Sequence, residues 1–133
     1  MFSDRSMTKE LFMSEVGRIP VAGYSPEGLE RLWKWYSREV RHNVLFNPLA
    51  IACDWAEYPT VVDAVRDLNE CYVKDMVRRK DGKRLTEMDL RTMPEKFLLD
   101  LLKRAVHVLE IENGHVLVDL YNDVEDFEDD ARS

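Results

Sequence analysis

Glycine is scarce in this chain, five in 133 residues and none of them clustered, so no loop is built to cradle phosphate. The P-loop, GxGxxG and GxSxG patterns are all missing, which removes the common nucleotide-binding loops and the nucleophile elbow. Cysteine is scarcer still. Cys53 and Cys71 lie 18 residues apart inside apolar patterns and read as buried, reduced thiols rather than a disulfide framework or a zinc site. The histidines are three, His42, His107 and His115, with no HxxxH or HExxH spacing among them. No apolar run approaches the ~18 residues of a membrane span. The opening MFSDRSMTKELFM mixes charge with apolar residues and carries no signal-peptide core. These absences lead to the expectation of a cytoplasmic protein with no metal, no cofactor and no membrane partner.

What the chain has is enough apolar residues for one core and a pronounced layout of charge. Hydrophobic residues make up 45% and aromatic ones 10%, which suits a single domain of this length. Charged residues reach 34%, above the usual level of about 25%. From Asp119 to Ser133 seven acids face one base, Arg132, so this end carries −6 of the chain's net −7. The rest is nearly balanced, with a basic run of Lys74, Arg78, Arg79, Lys80, Lys83 and Arg84 around Asp81-Gly82.

Caps and periodicity place the elements. Residues 7–16 have Leu11, Phe12 and Val16 on one side and stop at Gly17 and Pro20. Ser25-Pro26-Glu27 is a helix start, with a capping serine, a proline at the first position and an early acid. Leu29, Leu32, Trp33, Tyr36 and Val40 continue it as an amphipathic helix over 26–41. Trp35 points away from that stripe, either a partly covered surface ring or a contact residue. The most apolar stretch, LFNPLAIACDWAEY, alternates large and small residues. Leu49, Ile51, Cys53 and Trp55 share one face at a period of two, and this predicts a central strand over 49–56 entered at Pro48. Thr60 caps a further helix over 60–79, with Val61, Val65, Leu68, Tyr72 and Met76 as its stripe. Lys74, Arg78 and Arg79 suit its C-terminal dipole. Thr86 and Asp89 have capping spacing for a short turn. Thr92-Met93-Pro94-Glu95 predicts a helix over 93–105 that buries Phe97, Leu98, Leu101, Leu102 and Ala105. Asn113-Gly114 then joins two strands within 106–121 through a two-residue turn. That loop sets Leu109 opposite Val118 and Ile111 opposite Val116, and leaves one apolar side for helices to cover.

The expected fold is therefore α+β: a three-stranded antiparallel sheet with three main helices packed on it. The expected layout is an N-terminal arm with a short helix (1–24), an α+β domain (25–121) and an acidic tail (122–133). His115 is expected to pair with Glu112 across the turn. The sequence leaves the oligomeric state open.

Three functional readings arise. The first is a non-enzymatic binding protein that presents its acidic end to a partner with a basic surface, much as a nucleic-acid backbone would. Its candidate contacts are Tyr121, Asp123, Val124, Glu125, Asp126, Phe127, Glu128, Asp129, Asp130 and Trp35. The second is a small enzyme using Asp54 and Glu57, or Cys53. In a continuous strand those two carboxylates point to opposite faces, so they converge only if the strand ends at Trp55. The third is a nucleic-acid binder using the basic run at 74–84, a reading handicapped by the net charge.

The runs FNPLAIACDWAEYPTVVDAVRDL and VHVLEIENGHVLVDLY carry a resemblance. They are similar to a group of small proteins of phages and mobile elements, whose shared pattern is an FDPIALCCEYxEY-like strand, an acidic amphipathic helix and a C-terminal hairpin. The likeness covers roughly residues 44–76 and 105–121. This chain departs from it with Ala52-Cys53 in place of a cysteine pair and a longer basic linker over 77–92. The resemblance assigns no activity and no functional residue. It implies an intracellular accessory factor that blocks or modulates a host nucleic-acid-handling or defence protein.

Overall fold

A computed structural model describes residues 2, 7–20, 22–40, 44–71 and 81–120. The fold is α+β, with a three-stranded antiparallel sheet and several helices. Helix α1 (Lys9–Gly17) starts at Thr8, whose hydroxyl accepts from Leu11 N–H. It is built into the core, with Phe12 and Val16 fully buried. Helix α2 (Pro26–Lys34) starts at Ser25 as its sequence demands, and Gly28 N–H donates to the serine hydroxyl. A single π turn, Trp35–Glu39, then closes with Val40 N–H on the Trp35 carbonyl, shorter than the helix expected to run to 41.

The expected strand at 49–56 is corrected. Pro48–Asp54 is helix α3, and strand β1 is only Trp55–Tyr58. Asn47 is the reason: its side chain accepts from Ala50 N–H, with proline at the first helical position, the same signature that starts α2. The large-and-small alternation is incidental. As a helix the segment buries Ile51 and exposes Leu49 and Cys53, so Cys53 is not the core thiol its apolar surroundings suggested.

Helix α4 (Val61–Cys71) is capped by Thr60, which accepts from Asp63 N–H. Its continuation over 72–80 lies outside the described residues. Helix α5 (Glu87–Thr92) has a full capping box between Thr86 and Asp89. Helix α6 (Glu95–Ala105) follows Pro94, and Thr92 is not its cap, since its hydroxyl donates to the Met88 carbonyl instead. It buries Leu98 and Leu102, while Leu101 is half-buried and Phe97 faces solvent.

Strands β2 (Val108–Glu110) and β3 (Val116–Asp119) form the hairpin, and β3 is the middle strand in the order β1-β3-β2. The turn does contain Asn113-Gly114, but the register is one residue away from the expected one. Leu109 pairs with Leu117, Val108 with Val118 and Glu110 with Val116. The loop has three residues: Gly114 N–H donates to the Ile111 carbonyl, Ile111 N–H donates to the His115 carbonyl, and Gly114 takes φ 88°. That is a tight turn followed by a left-handed glycine, the next most common hairpin after the two-residue loop. Asn113 Oδ1 holds it by accepting from His115 N–H.

The shift changes the faces of the sheet. Val116, Leu117, Val118 and Asp119 are all buried, so β3 is covered on both sides. Val116 and Val118 pack with α4, α5 and α6 around Val65, Leu98 and Leu102. Leu109 and Leu117 pack with α1, the α2 segment and α3 around Phe12, Leu32, Trp35, Tyr36 and Trp55. Helices therefore cover both faces, not one. Among the described residues no helix is long and apolar enough to cross a membrane.

Candidate functional site

Glu57 is held on both carboxylate oxygens. It leaves β1 with its side chain 7% exposed, and its Oε1 accepts from Ser25 N–H at 3.0 Å. Its Oε2 lies 2.6 Å from His115 Nδ1 on the hairpin. Gly28 makes room for it: a Cβ there would fall 1.9 Å from Oε1. Asn113 Nδ2 reaches the Ser25 hydroxyl at 3.5 Å. The expected His115–Glu112 pair is thus replaced by a pairing across the sheet. This clamp ties the start of α2, β1 and the hairpin turn together.

A carboxylate on imidazole Nδ1 is the orienting half of a catalytic triad. The other half is not assembled. No hydroxyl or thiol among the described residues is hydrogen-bonded to the remaining ring nitrogen of His115, and the Ser25 hydroxyl is occupied as the cap of α2. Asp54 does not join Glu57. It ends α3, and its carboxylate acts on Tyr24 and Tyr36. Among the described residues no three His, Cys, Asp or Glu side chains are placed to hold a metal ion.

The two outer edges of the sheet differ. At β1 the Tyr24 hydroxyl donates to the Trp55 carbonyl at 2.5 Å, and the Trp55 N–H closes the last turn of α3 on the Ile51 carbonyl. Burial of Tyr24 pushes its phenol well above the ordinary value, so it remains a donor. At β2 the bonds to β3 are made by His107, whose carbonyl accepts from Asp119 N–H, and by Ile111, with Leu109 paired between them. Antiparallel alternation then turns the N–H and C=O of Val108 and Glu110 outward. No described strand pairs with that side.

Beside the open edge runs a groove of about 310 Å³ between α2 and the hairpin, lined by Glu27, Glu30, Arg31, Lys34 and Glu110 to Glu112. Three of its charges are already engaged: Glu30 with Lys9 at 2.6 Å, Arg31 with Glu39 at 2.9 Å and Glu110 with Lys103 at 2.9 Å. Glu27, Glu112 and Lys34 form no ion pair among the described residues.

The residues expected to bind a partner are not gathered here. Trp35 is not a surface ring. It is 9% exposed, with its ring 4.6 Å from that of His107 and edge-on to Trp55. Tyr121, Asp123, Val124, Glu125, Asp126, Phe127, Glu128, Asp129 and Asp130 lie outside the described residues, as do Lys74, Arg78, Arg79 and Lys80 of the basic run. Of that run, Arg84 is spent on the Asn69 carbonyl. Glu27 and Glu112 were missed as a pair, because no local pattern links two acids so far apart in the chain. No family model matches this chain, and no curated protein or solved structure was found to be similar to it.

Proposed function

We propose that this chain is a binding protein rather than an enzyme, and that it engages a protein with a basic surface. The observation that carries the reading is the groove on α2 beside an open strand edge, whose unpaired charges are mainly acidic. The acidic segment over 119–133 adds charge of the same sign. In the setting implied by the phage resemblance, such a protein serves as an accessory factor that inhibits or modulates a host nucleic-acid-handling or defence protein. Long-range attraction would speed encounter, while durable affinity would come from desolvated contacts.

The test is capture from host lysate by the full chain, by a chain lacking residues 122–133, and by Glu27→Lys/Glu112→Lys. A specific partner should be retained by the full chain and lost in steps by the two variants, more so at low salt. Equal capture by all three would remove the acidic surfaces from the mechanism. A second reading, hydrolysis through the Glu57–His115 pair, predicts a turnover that His115→Gln abolishes without a change in the melting curve.

A further inference from the structure

We infer that the outer edge of β2 accepts an added strand: an extended, basic peptide segment of the partner, lying in the groove between α2 and the hairpin. This rests on the reading of the chain as a binding protein. Val108 and Glu110 each present an N–H and a C=O away from β3, four backbone groups in a row with nothing from the described sheet against them. Main-chain bonds of this kind supply the affinity in strand addition, and alternate side chains supply the choice of partner. On the opposite edge the Tyr24 hydroxyl and the last turn of α3 already occupy the outward C=O and N–H of Trp55.

The groove has a direction. Its hairpin end is fixed by the approach of Asn113 to Ser25, which brings Glu27 and Glu112 to the same end. Its far end holds Arg31, close enough to act on His107 just before β2. Ile111, 7% exposed, is the apolar part of the lining. A guest strand therefore meets carboxylates at the turn end and Lys34 at the other. Lysine or arginine near Glu27 and Glu112, alternating with an aliphatic side chain over Ile111, fits this layout. A second copy of this chain fits poorly. The strand a second copy would offer, Val108–Glu110, brings no lysine or arginine to meet Glu27 and Glu112.

The probe is a short blocked peptide of alternating lysine and valine, with a glutamate–valine peptide and a lysine–valine peptide N-methylated at alternate positions as controls. Binding is read by anisotropy, and hydrogen exchange is followed at the Val108 and Glu110 amides. The lysine–valine peptide should slow exchange at both amides. N-methylation, which removes two or so backbone hydrogen bonds, should weaken it by about tenfold or more. Glu27→Lys/Glu112→Lys should weaken it severalfold with only a small fall in the melting curve, the part that comes from losing the first-turn acid of α2. Equal binding by the N-methylated peptide, or unchanged exchange at Val108 and Glu110, overturns the inference, because attraction is then charge alone. So does a chain that sediments as a dimer with those amides already protected. If the edge fails this test while lysate capture succeeds, the binding-protein reading stands and only the strand-addition inference falls.

Discussion

The two faces of the sheet are packed with different materials. The face under α4, α5 and α6 is aliphatic: Val61, Val65, Leu68, Leu98, Leu102, Val116 and Val118. The face under α1, α2 and α3 adds to aliphatic residues such as Leu32, Leu109 and Leu117 a cluster of rings, Phe12, Trp35, Tyr36 and Trp55, with Phe2, Trp33 and Phe46 against them. Aliphatic packing needs only volume. The ring face carries polar atoms that must also be satisfied: Trp55 Nε1 donates to Tyr36 Oη at 2.9 Å. Burial, helped by the Asp54 and Asp119 carboxylates, pushes the Tyr36 phenol well above its ordinary value, although the Trp55 hydrogen bond pulls the other way. The comparison teaches that one face should tolerate swaps of shape and the other should not.

The largest effect should come from Trp55→Ala, at ~3–5 kcal/mol in urea melts, with Leu102→Ala costing ~2–5 kcal/mol on the other face. The sharper comparison uses conservative changes. Leu102→Met should cost under ~1.5 kcal/mol. Trp55→Phe keeps a ring but strips the donor from a buried phenol, and should cost ~1–3 kcal/mol beyond its volume change. Equal losses for the two conservative variants would break the distinction between the faces.

Next in size is a test within α3, at the border of the ring face. Ile51→Ala should cost ~2–5 kcal/mol, and Leu49→Ala no more than ~0.5 kcal/mol, since Ile51 is 3% and Leu49 59% exposed. A continuous strand would have put both on one face and made them comparable.

Much of this architecture is legible in the chain, and the misses have physical causes. Caps located α2, α4 and α5, because Ser25, Thr60 and Thr86 each accept from an N–H three residues on, while α1 was placed by its apolar side and its stop at Gly17. Asn47-Pro48 is the same signal, outweighed in the reading by an alternation that any small-and-large helix can show. Asn113-Gly114 marked the turn, but the dipeptide serves a two-residue and a three-residue loop equally, and the choice reverses which partners share a face. Trp35 was misplaced because the π turn after Lys34 breaks the 3.6-residue phase on which the stripe was drawn. The Glu57–His115 clamp joins residues 58 apart, beyond the reach of any local pattern.

The clamp supplies a smaller effect that bears on the ring face, since it fixes where α2 starts. Gly28→Ala should cost ~1–3 kcal/mol as an overpacking change, although alanine is the better helix former. In Glu57→Ala the same substitution should cost much less, because the carboxylate it strikes is gone. Additive losses in the double mutant would show that Gly28 and Glu57 do not share space.

The smallest effect is in pH. Burial, with Arg31 adding to it and Glu39 opposing, holds His107 below its ordinary value of 6.5. The unfolded chain therefore binds a proton at this site before the folded one does. The stability this contributes is complete above the unfolded value and is lost as pH falls through the folded value. His107→Gln should flatten the acid side of the stability profile below about pH 6.5. An unchanged slope would mean that the ring face does not shield His107 from water.

Helix α3 passes into β1 with no residue between them. The N–H of Trp55 finishes the helix on the Ile51 carbonyl, while the neighbouring Asp54 carbonyl already accepts from Leu120 N–H in the sheet. One peptide unit thus belongs to two ladders. Neither can open there alone, so the end of α3 and the rim of the sheet should exchange their amide protons as a single cooperative unit. A push on the exposed Leu49–Cys53 side of α3 has no slack loop to absorb it, and would reach β3 as a turn of the strand beside it.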